Sequence, residues 1–513
     1  HFESISTLAI ERTPLLETAG VRELINGPES FTPDGNFIMG RAPELDNFFV
    51  GAGFNAHGIA AGGGAGRMLS EWILDGRPSL DLWSVDIRRF GSHHRELDYV
   101  RDRTLELYGK HYSIAWPGDE HESGRKLRLS PLYSRLEAQG AVFGSKFGWE
   151  RANWFAPAGT EAVETPTFGK PDWFEAVGSE HQAIREGVAL IDQTPFSKLE
   201  VSGPGSFAFL QRLAAADLDK PPGRLTYTQL CNERGGIECD LTIARVEEER
   251  FYIVTGTAFG GHDLSWIREN LDHGSPVELS DITDTRAVIN VCGPRSRTLL
   301  ESVCDDALDK ESFPFGACLP LHIGDATVLA LRVTYVGELG WELHMPVEAA
   351  AAVYDLLMEA GTALDVRNAG YQAIESCRLE KGYRYWSTDL TADYTPWEAG
   401  LGFCVALDKG DFIGREALAE AREKGPSRKL CCFTLEEYRP LNGGETISRQ
   451  GEVLGVLTSG GYGYTVGKSI AYGYVPAQMA GETDFEIEVM GESIPATRHD
   501  GALYDKGRER ILA

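Results

Sequence analysis

The sequence predicts an α+β chain of several domains, and three observations carry that expectation. Its 513 residues exceed what one hydrophobic core organises, so about three or four domains are expected. Residues 165–420 mix apolar strands such as FYIVT and VLALRVTY with helical stretches such as EAAAAVYDLLMEAG. From about residue 428 to 513, apolar and polar residues alternate between glycine turns, as in EVLGVLTSGGYG and DFEIEVMGESIPA, which suits a small antiparallel barrel or jelly roll.

Taken in order, residues 1–90 contain FFVGAGFNAHGIAAGGGAG, a short apolar run entering a glycine-rich loop and then a helix. Met68, Leu69, Trp72 and Ile73 supply the apolar face of that helix, and Gly76 with Pro78 ends it. A strand passing through glycines into a helix N-terminus presents free N–H groups and the positive end of the helix dipole. The glycines at 62, 63, 64 and 66 do not have dinucleotide-loop spacing. Residues 91–160 read as a connecting element. In it His93, His94 and Arg95 look like a solvated loop, and GWERANWFAPAG like an aromatic-rich linker packed between domains.

In residues 165–420 the informative stretch is Asn232-Glu-Arg-Gly-Gly-Ile-Glu-Cys-Asp240, a glycine turn followed by a strand with Asp240 at the junction. Read alone it is equally well a hairpin turn with a solvated Asp. Tyr227 precedes it by thirteen residues, and TYVGELGWEL places Tyr335 and Glu342 around two further glycines. In the tail, GYGYTVGKS lacks a Gly five residues before Gly467, so it reads as a hairpin rather than a phosphate loop. Adjacent Cys431 and Cys432 lie in the apolar run LCCFTL, where packing is the expected role.

A formal net charge of −28 argues against nucleic acid or an anionic membrane as partner. No apolar stretch approaches about 18 residues, so no membrane span is expected. The nine Cys are scattered, with no C-x-x-C pair, and no HExxH signature is present, which predicts no metal site. Reduced thiols fit a cytoplasmic location, or the mitochondrial matrix in a eukaryote.

From EHQAIREGVALIDQTPFSKLEVSGPGSFAFLQRL onward, through the segments above and RLEKGYRYWSTDL, TPWEAGLGF and DFIGREAL, the sequence resembles the folate-binding aminomethyltransferases, the T-protein family. The segment NGPESFTPDGNFIMGRAPELDNFFVGAGFNAHGI and the stretches to residue 160 resemble the dimethylglycine and sarcosine dehydrogenases, which join an FAD amine oxidase to a folate domain. The resemblance implies four parts: 1–90, the C-terminal part of an FAD domain; 91–160, a connecting domain; 165–420, a folate-binding domain; and 428–513, a β-barrel. It implies Asp240 as the catalytic carboxylate, a general base or electrostatic partner facing the reacting tetrahydrofolate nitrogen. Glu342 would hold the pterin, with Tyr227 and Tyr335 lining the pocket. Asn55, His57, Gly58 and Ile59 would face the pyrimidine edge of FAD, whose pyrophosphate grip would belong to a missing N-terminal flavin-binding segment.

Two departures stand out. Cys239 replaces the first acid of the Gly-Gly-x-x-Asp-Asp turn, and Ile374 stands where the aminomethyltransferases carry an Arg. The implied activity is oxidation of a small N-methyl amino acid at FAD, with transfer of the one-carbon unit to tetrahydrofolate. A stand-alone folate aminomethyltransferase and a non-catalytic regulatory protein of the same architecture remain alternatives.

Overall fold

The computed structural model describes residues 2–25 and 27–513. Near the N-terminus an antiparallel pair, Ile38–Arg41 with Phe49–Ala52, leads into a helix over Gly58–Asp75. The turn between strand and helix is made by Asn55 and Ala56, both at positive φ (49° and 65°). The expected glycine-rich loop is therefore helix: glycines 62, 63, 64 and 66 lie inside it. Its stability comes from the other face, where Ala65, Met68 and Trp72 are buried and Leu69 packs alongside. Ile73 is exposed, contrary to expectation, and Gly76 ends the helix at φ 82° as predicted.

His93 and His94 are not a solvated loop. They form a single 3-10 turn, Ser92–Arg95, with His93 buried against Tyr99 and Phe147. Burial, then the neighbouring His94 charge, pushes the His93 imidazole down to about 3, so it packs as a neutral aromatic ring. The GWERANWF segment is likewise a strand, Trp149–Phe155, paired with Ala141–Lys146 across a two-residue turn. Phe147 and Gly148 both take positive φ there, the geometry tight hairpins favour. The hairpin does pack between elements. The buried Glu180 carboxylate accepts from the Phe155 and Gly370 amides at 2.7 Å each, tying hairpin and helix Phe174–Glu186 to helix Tyr371–Lys381.

Two sheets make the body of the central region. The five-stranded sheet is antiparallel, in the order Glu278–Asp281, Ser197–Ser202, Arg250–Thr255, Ile237–Glu247, Arg224–Cys231. The six-stranded sheet runs Cys318–Ile323, Ala326–Leu331, Gly340–Pro346, Arg286–Cys292, Ala189–Asp192, Arg367–Asn368. FYIVT and VLALRVTY supply strands, and EAAAAVYDLLMEAG the helix Ala350–Ala360, as their periodicity predicts. Six strands between Arg428 and His499 close into a barrel around Phe433, Ile447, Phe485 and Ile487. GYGYTVGKS is the hairpin joining two of them, and Cys431 and Cys432 are buried. Among the described residues no helix is long and apolar enough to cross a membrane.

Candidate functional site

Asp240 lies inside the strand Ile237–Glu247 rather than at its junction with the turn. The turn is braced by Asn232, whose Oδ1 accepts the Arg234 and Gly236 amides at 3.0 Å each. Gly236 is required by close approach: a Cβ there would sit 1.9 Å from the Ala392 carbonyl oxygen. Beyond the turn Ile237, Cys239, Leu241 and Ile243 enter the core, so period-two alternation sends Glu238 and Asp240 to the opposite face.

Register supplies the partners. Gln229 stands directly across from Asp240 and Tyr227 across from Thr242, so Tyr227, Gln229 and Asp240 share a face. Gln229 Nε2 donates to Asp240 Oδ1 at 2.8 Å, and Gln229 Oε1 is buried with no partner. Desolvation pushes the Asp240 carboxyl up to about 6, against the pull of Gln229 and Tyr227. Arg384 lowers it further, while the Asp263 charge raises it. An acid held near 6 exchanges protons readily at neutral pH.

Tyr335 comes from the loop between the strands Ala326–Leu331 and Gly340–Pro346. Its hydroxyl donates to the Arg384 carbonyl, its ring stacks on Tyr383 at 5.8 Å, and Asp240 is among the charges acting on it. Glu342 belongs to the other sheet, across from Asn290. Its Oε2 lies 3.4 Å from His344 Nε2, and His344 Nδ1 meets the Tyr252 hydroxyl at 2.9 Å. Among the described residues no direct contact links Glu342 to Asp240. Beside Glu342, Asn290 Oδ1 and Gln193 Nε2 are buried and unpartnered. An orphan acceptor and donor next to a carboxylate suit a flat heterocycle with amino and ring N–H groups, so this set fits a pterin.

Gln229, Asn290, Gln193 and Arg384 were not singled out from the sequence. Only Gln229 left a local signal, two residues after Tyr227 on one strand. Cys239 is buried on the reverse face, where its ligand atom and those of His262 and Asp263 lie within 4.8 Å of one another. Asp263 already accepts from Thr255 at 2.6 Å and contacts His262 Nδ1 at 2.9 Å. Ile374 is buried among Val177, Ala373 and Cys377, an apolar contact in place of a cation.

At the flavin-edge positions two of the four expected donors are spent. The Asn55 amide donates to Ser30 at 3.1 Å and the His57 amide to Phe54 at 2.8 Å. The Asn55 side chain is a brace, accepting from the Thr32 amide at 2.9 Å and donating to Gly53 at 2.8 Å. Gly58 and Ile59 open the helix with no side-chain cap, and Ile59 is fully exposed, so their N–H groups are available and fit a polarised ring edge. A cavity of about 410 Å³ adjoins this loop, lined by Phe31, Asn55, Leu107, Lys110, His111 and Trp116. Between the two regions, Arg234 donates to the Ser79 carbonyl at 2.6 Å and Trp83 meets His262 edge-on at 4.7 Å.

The GCVT N-terminal domain model matches residues 132–409, more than half of the chain. The chain belongs to the GCVT family. The FAD dependent oxidoreductase central domain matches residues 75–130, and the glycine cleavage T-protein C-terminal barrel domain residues 428–505. Human mitochondrial sarcosine dehydrogenase is 38% identical over 98% of this chain and 60% of its own length. The formaldehyde-forming 4-methylaminobutanoate oxidase of Paenarthrobacter nicotinovorans is 38% identical over 100% and 62%. The mouse pyruvate dehydrogenase phosphatase regulatory subunit is 37% identical over 97% and 59%. The chain thus spans about three fifths of the length of these relatives. Among solved structures, aminomethyltransferase T of the Bartonella henselae glycine cleavage system superposes with a TM-score of 0.64 at 27% identity, covering 74% of this chain and 99% of its own. The fold is therefore that of the T-protein, with further segments before it.

Proposed function

We propose that this chain binds tetrahydrofolate in the cavity between its two sheets. It would serve there as the one-carbon transfer portion of an FAD-dependent N-methyl amino acid dehydrogenase. The observation that carries the reading is the half-buried Asp240 carboxyl, held near 6 among Tyr227, Gln229 and Tyr335 in a T-protein fold. Sarcosine and dimethylglycine are the substrate class that the relatives suggest.

Each residue then has a role. Glu342 accepts from the pterin amino and ring N–H groups, with Asn290 Oδ1 beside it as a further acceptor. Tyr227 and Tyr335 wall the cavity, and Gln229 fixes the Asp240 carboxylate by its 2.8 Å hydrogen bond. Asp240 faces the folate nitrogen, offsets the positive charge that grows there as the new C–N bond forms, and accepts the proton released. FAD, when bound, would supply the hydride acceptor for amine oxidation. Gly58 and Ile59 would donate to the edge of its ring, with His57 alongside. The four-part division at 1–90, 91–160, 165–420 and 428–513 is part of the same proposal.

The regulatory relative supports a second reading, a folate-fold protein without turnover. One experiment separates them. Calorimetric titration of this chain with tetrahydrofolate should show binding, and the full-length protein should reduce its flavin with an N-methyl amino acid. Absence of both results refutes the proposal; folate binding without flavin reduction by any N-methyl amine supports the regulatory or stand-alone transferase alternatives.

A further inference from the structure

Tyr252 and His344 make a polar contact between the two central sheets, and the catalytic reading gives it no role. Tyr252 belongs to the strand Arg250–Thr255 of the five-stranded sheet, and His344 to Gly340–Pro346 of the six-stranded sheet. Register fixes where each side chain points. Tyr252 stands across from Ala244, which follows Asp240 at period-two spacing, so Tyr252 lies on the same face of its sheet as Asp240. On the other sheet His344 follows Glu342 at the same spacing, while Trp341, Leu343 and Met345 fill the reverse face. The two faces meet: Ala244 and Tyr252 pack in one apolar cluster with Cys318 and Leu331, which come from the six-stranded sheet.

Both side chains are buried, and they form a short chain of hydrogen bonds that ends on Glu342. The Tyr252 hydroxyl lies 2.9 Å from His344 Nδ1, and His344 Nε2 lies 3.4 Å from Glu342 Oε2. The two rings meet edge-on at 5.3 Å. Only one neutral tautomer serves both contacts: with the proton on Nε2, Nδ1 accepts from Tyr252 and Nε2–H donates to the carboxylate. The opposite tautomer would turn the Nε2 lone pair toward Glu342. Burial favours this state, since desolvation lowers His344 toward the neutral ring and raises Tyr252, which keeps its proton. Glu342 Oε1 has no protein donor among the described residues, so the chain of bonds takes one carboxylate oxygen and leaves the other for a ligand.

We propose that Tyr252 and His344 are positioning residues: Tyr252 sets the His344 tautomer, and His344 holds the Glu342 carboxylate in one orientation relative to the sheet that carries Asp240. The inference rests on the folate reading, in which Glu342 holds the pterin and Asp240 faces the reacting nitrogen. A pterin held by one sheet must present its nitrogen to a carboxylate on the other, so the two sheets need a fixed relation at this point. The Tyr252–His344 bond supplies one.

The test is calorimetric titration of the full chain with tetrahydrofolate, in wild type and in Glu342→Gln, His344→Gln, His344→Asn and Tyr252→Phe. A Gln amide places an N–H where Nε2 stood, whereas an Asn amide reaches only the Nδ1 position. His344→Gln should therefore bind close to wild type, and His344→Asn roughly 10-fold more weakly. Tyr252→Phe frees the tautomer and should weaken binding by about three- to tenfold. In a Glu342→Gln background, itself weakened, His344→Asn should add nothing, because the two residues act through one contact. Equal affinities of His344→Gln and His344→Asn, wild-type affinity in Tyr252→Phe, or additive losses with Glu342→Gln overturn the proposal. Thermal melting separates a purely structural role: variants that melt lower yet bind as wild type show that the contact serves only the packing of the sheets. Wild type that binds tetrahydrofolate, with Glu342→Gln weakened and the Tyr252 and His344 variants unchanged, refutes the positioning role alone. Wild type that does not bind, or Glu342→Gln at wild-type affinity, refutes the folate role of Glu342 and the positioning role with it.

Discussion

Replacing Asp240 by Asn changes one charge and almost no volume, and the Asn oxygen can still accept from Gln229 Nε2. The carboxyl in the folded chain is raised from 3.8 to about 6, chiefly by desolvation. If Asp240 must be ionised to accept the proton from folate, the rate should rise with pH and level off above about 6. With a pKa near 6, roughly a tenth of the molecules carry the carboxylate at pH 5 and nearly all do at pH 7.5, a difference of about tenfold. The assay is formation of methylenetetrahydrofolate from formaldehyde and tetrahydrofolate by this chain, corrected for the uncatalysed reaction. Asp240→Asn should lower the plateau by on the order of 10²-fold and abolish the pH step. In the full-length protein it should leave amine oxidation intact and let formaldehyde accumulate. The stability sign follows from the same shift. A carboxyl with a raised folded pKa stabilises fully below 3.8 and loses that contribution as pH rises through about 6. Asp240→Asn should therefore gain stability relative to wild type at neutral pH, by up to about 3 kcal/mol before discounting for cavity water, and gain little near pH 4. A flat rate profile between pH 5 and 7.5, or a wild-type product ratio from Asp240→Asn, would refute the assignment.

Three other substitutions read different parts of the structure. Gln229→Leu should remove the hydrogen bond that fixes Asp240 and move the kinetic pKa upward, since that bond favours the charged form; a pH profile shows it. Lys198 is fully buried, donates to the Thr194 carbonyl at 2.7 Å, and is pushed down by desolvation to about 7. A lowered amine is penalised most below its folded pKa, so Lys198→Met should gain about 2 kcal/mol more relative to wild type at pH 7 than at pH 9, measured by denaturant melts. Gly236→Ala would drive a methyl into the Ala392 carbonyl and should lower the melting temperature while weakening folate binding, because the turn that sets the Asp240 strand must shift.

How far the sequence disclosed this structure depended on whether a signal was local. The barrel was readable because apolar alternation and glycine turns are properties of short windows, and the six closed strands follow them. Tyr227 and Asp240 were readable from their motifs, and the alternation rule, applied to GRLTYTQL, would have added Gln229. The glycine run in Gly58–Asp75 misled because glycine lowers helix propensity, whereas tertiary burial of Met68 and Trp72 decides the outcome. His93 and His94 misled because a polar pair next to an Arg looks solvated, yet neutral imidazoles pack as aromatic rings once desolvated. Asn290 and Gln193 had no local signal at all, since Asn290 is brought opposite Glu342 by strand pairing and donates to Gln193, and each keeps one buried atom without a partner.

The Asp240 side of the candidate site is built from one hairpin, where a single register places Tyr227, Gln229 and the acid on one face. The Glu342 side depends on a second sheet, and polar groups on both sides are incompletely paired: Gln229 Oε1 near Asp240, and Gln193 Nε2 and Asn290 Oδ1 near Glu342, all lack partners. Each unmet group costs about 1–3 kcal/mol when buried, and all three sit beside the two carboxyls proposed to hold and activate folate. A structural core under no other demand would have filled those positions with apolar side chains, as it did at Ile374. Their retention as polar groups is what a ligand with complementary donors and acceptors would explain. Replacing Asn290 by Leu is then expected to stabilise the free chain while weakening tetrahydrofolate, and a variant that melts lower and binds as wild type would mean that Asn290 serves the sheet rather than the ligand.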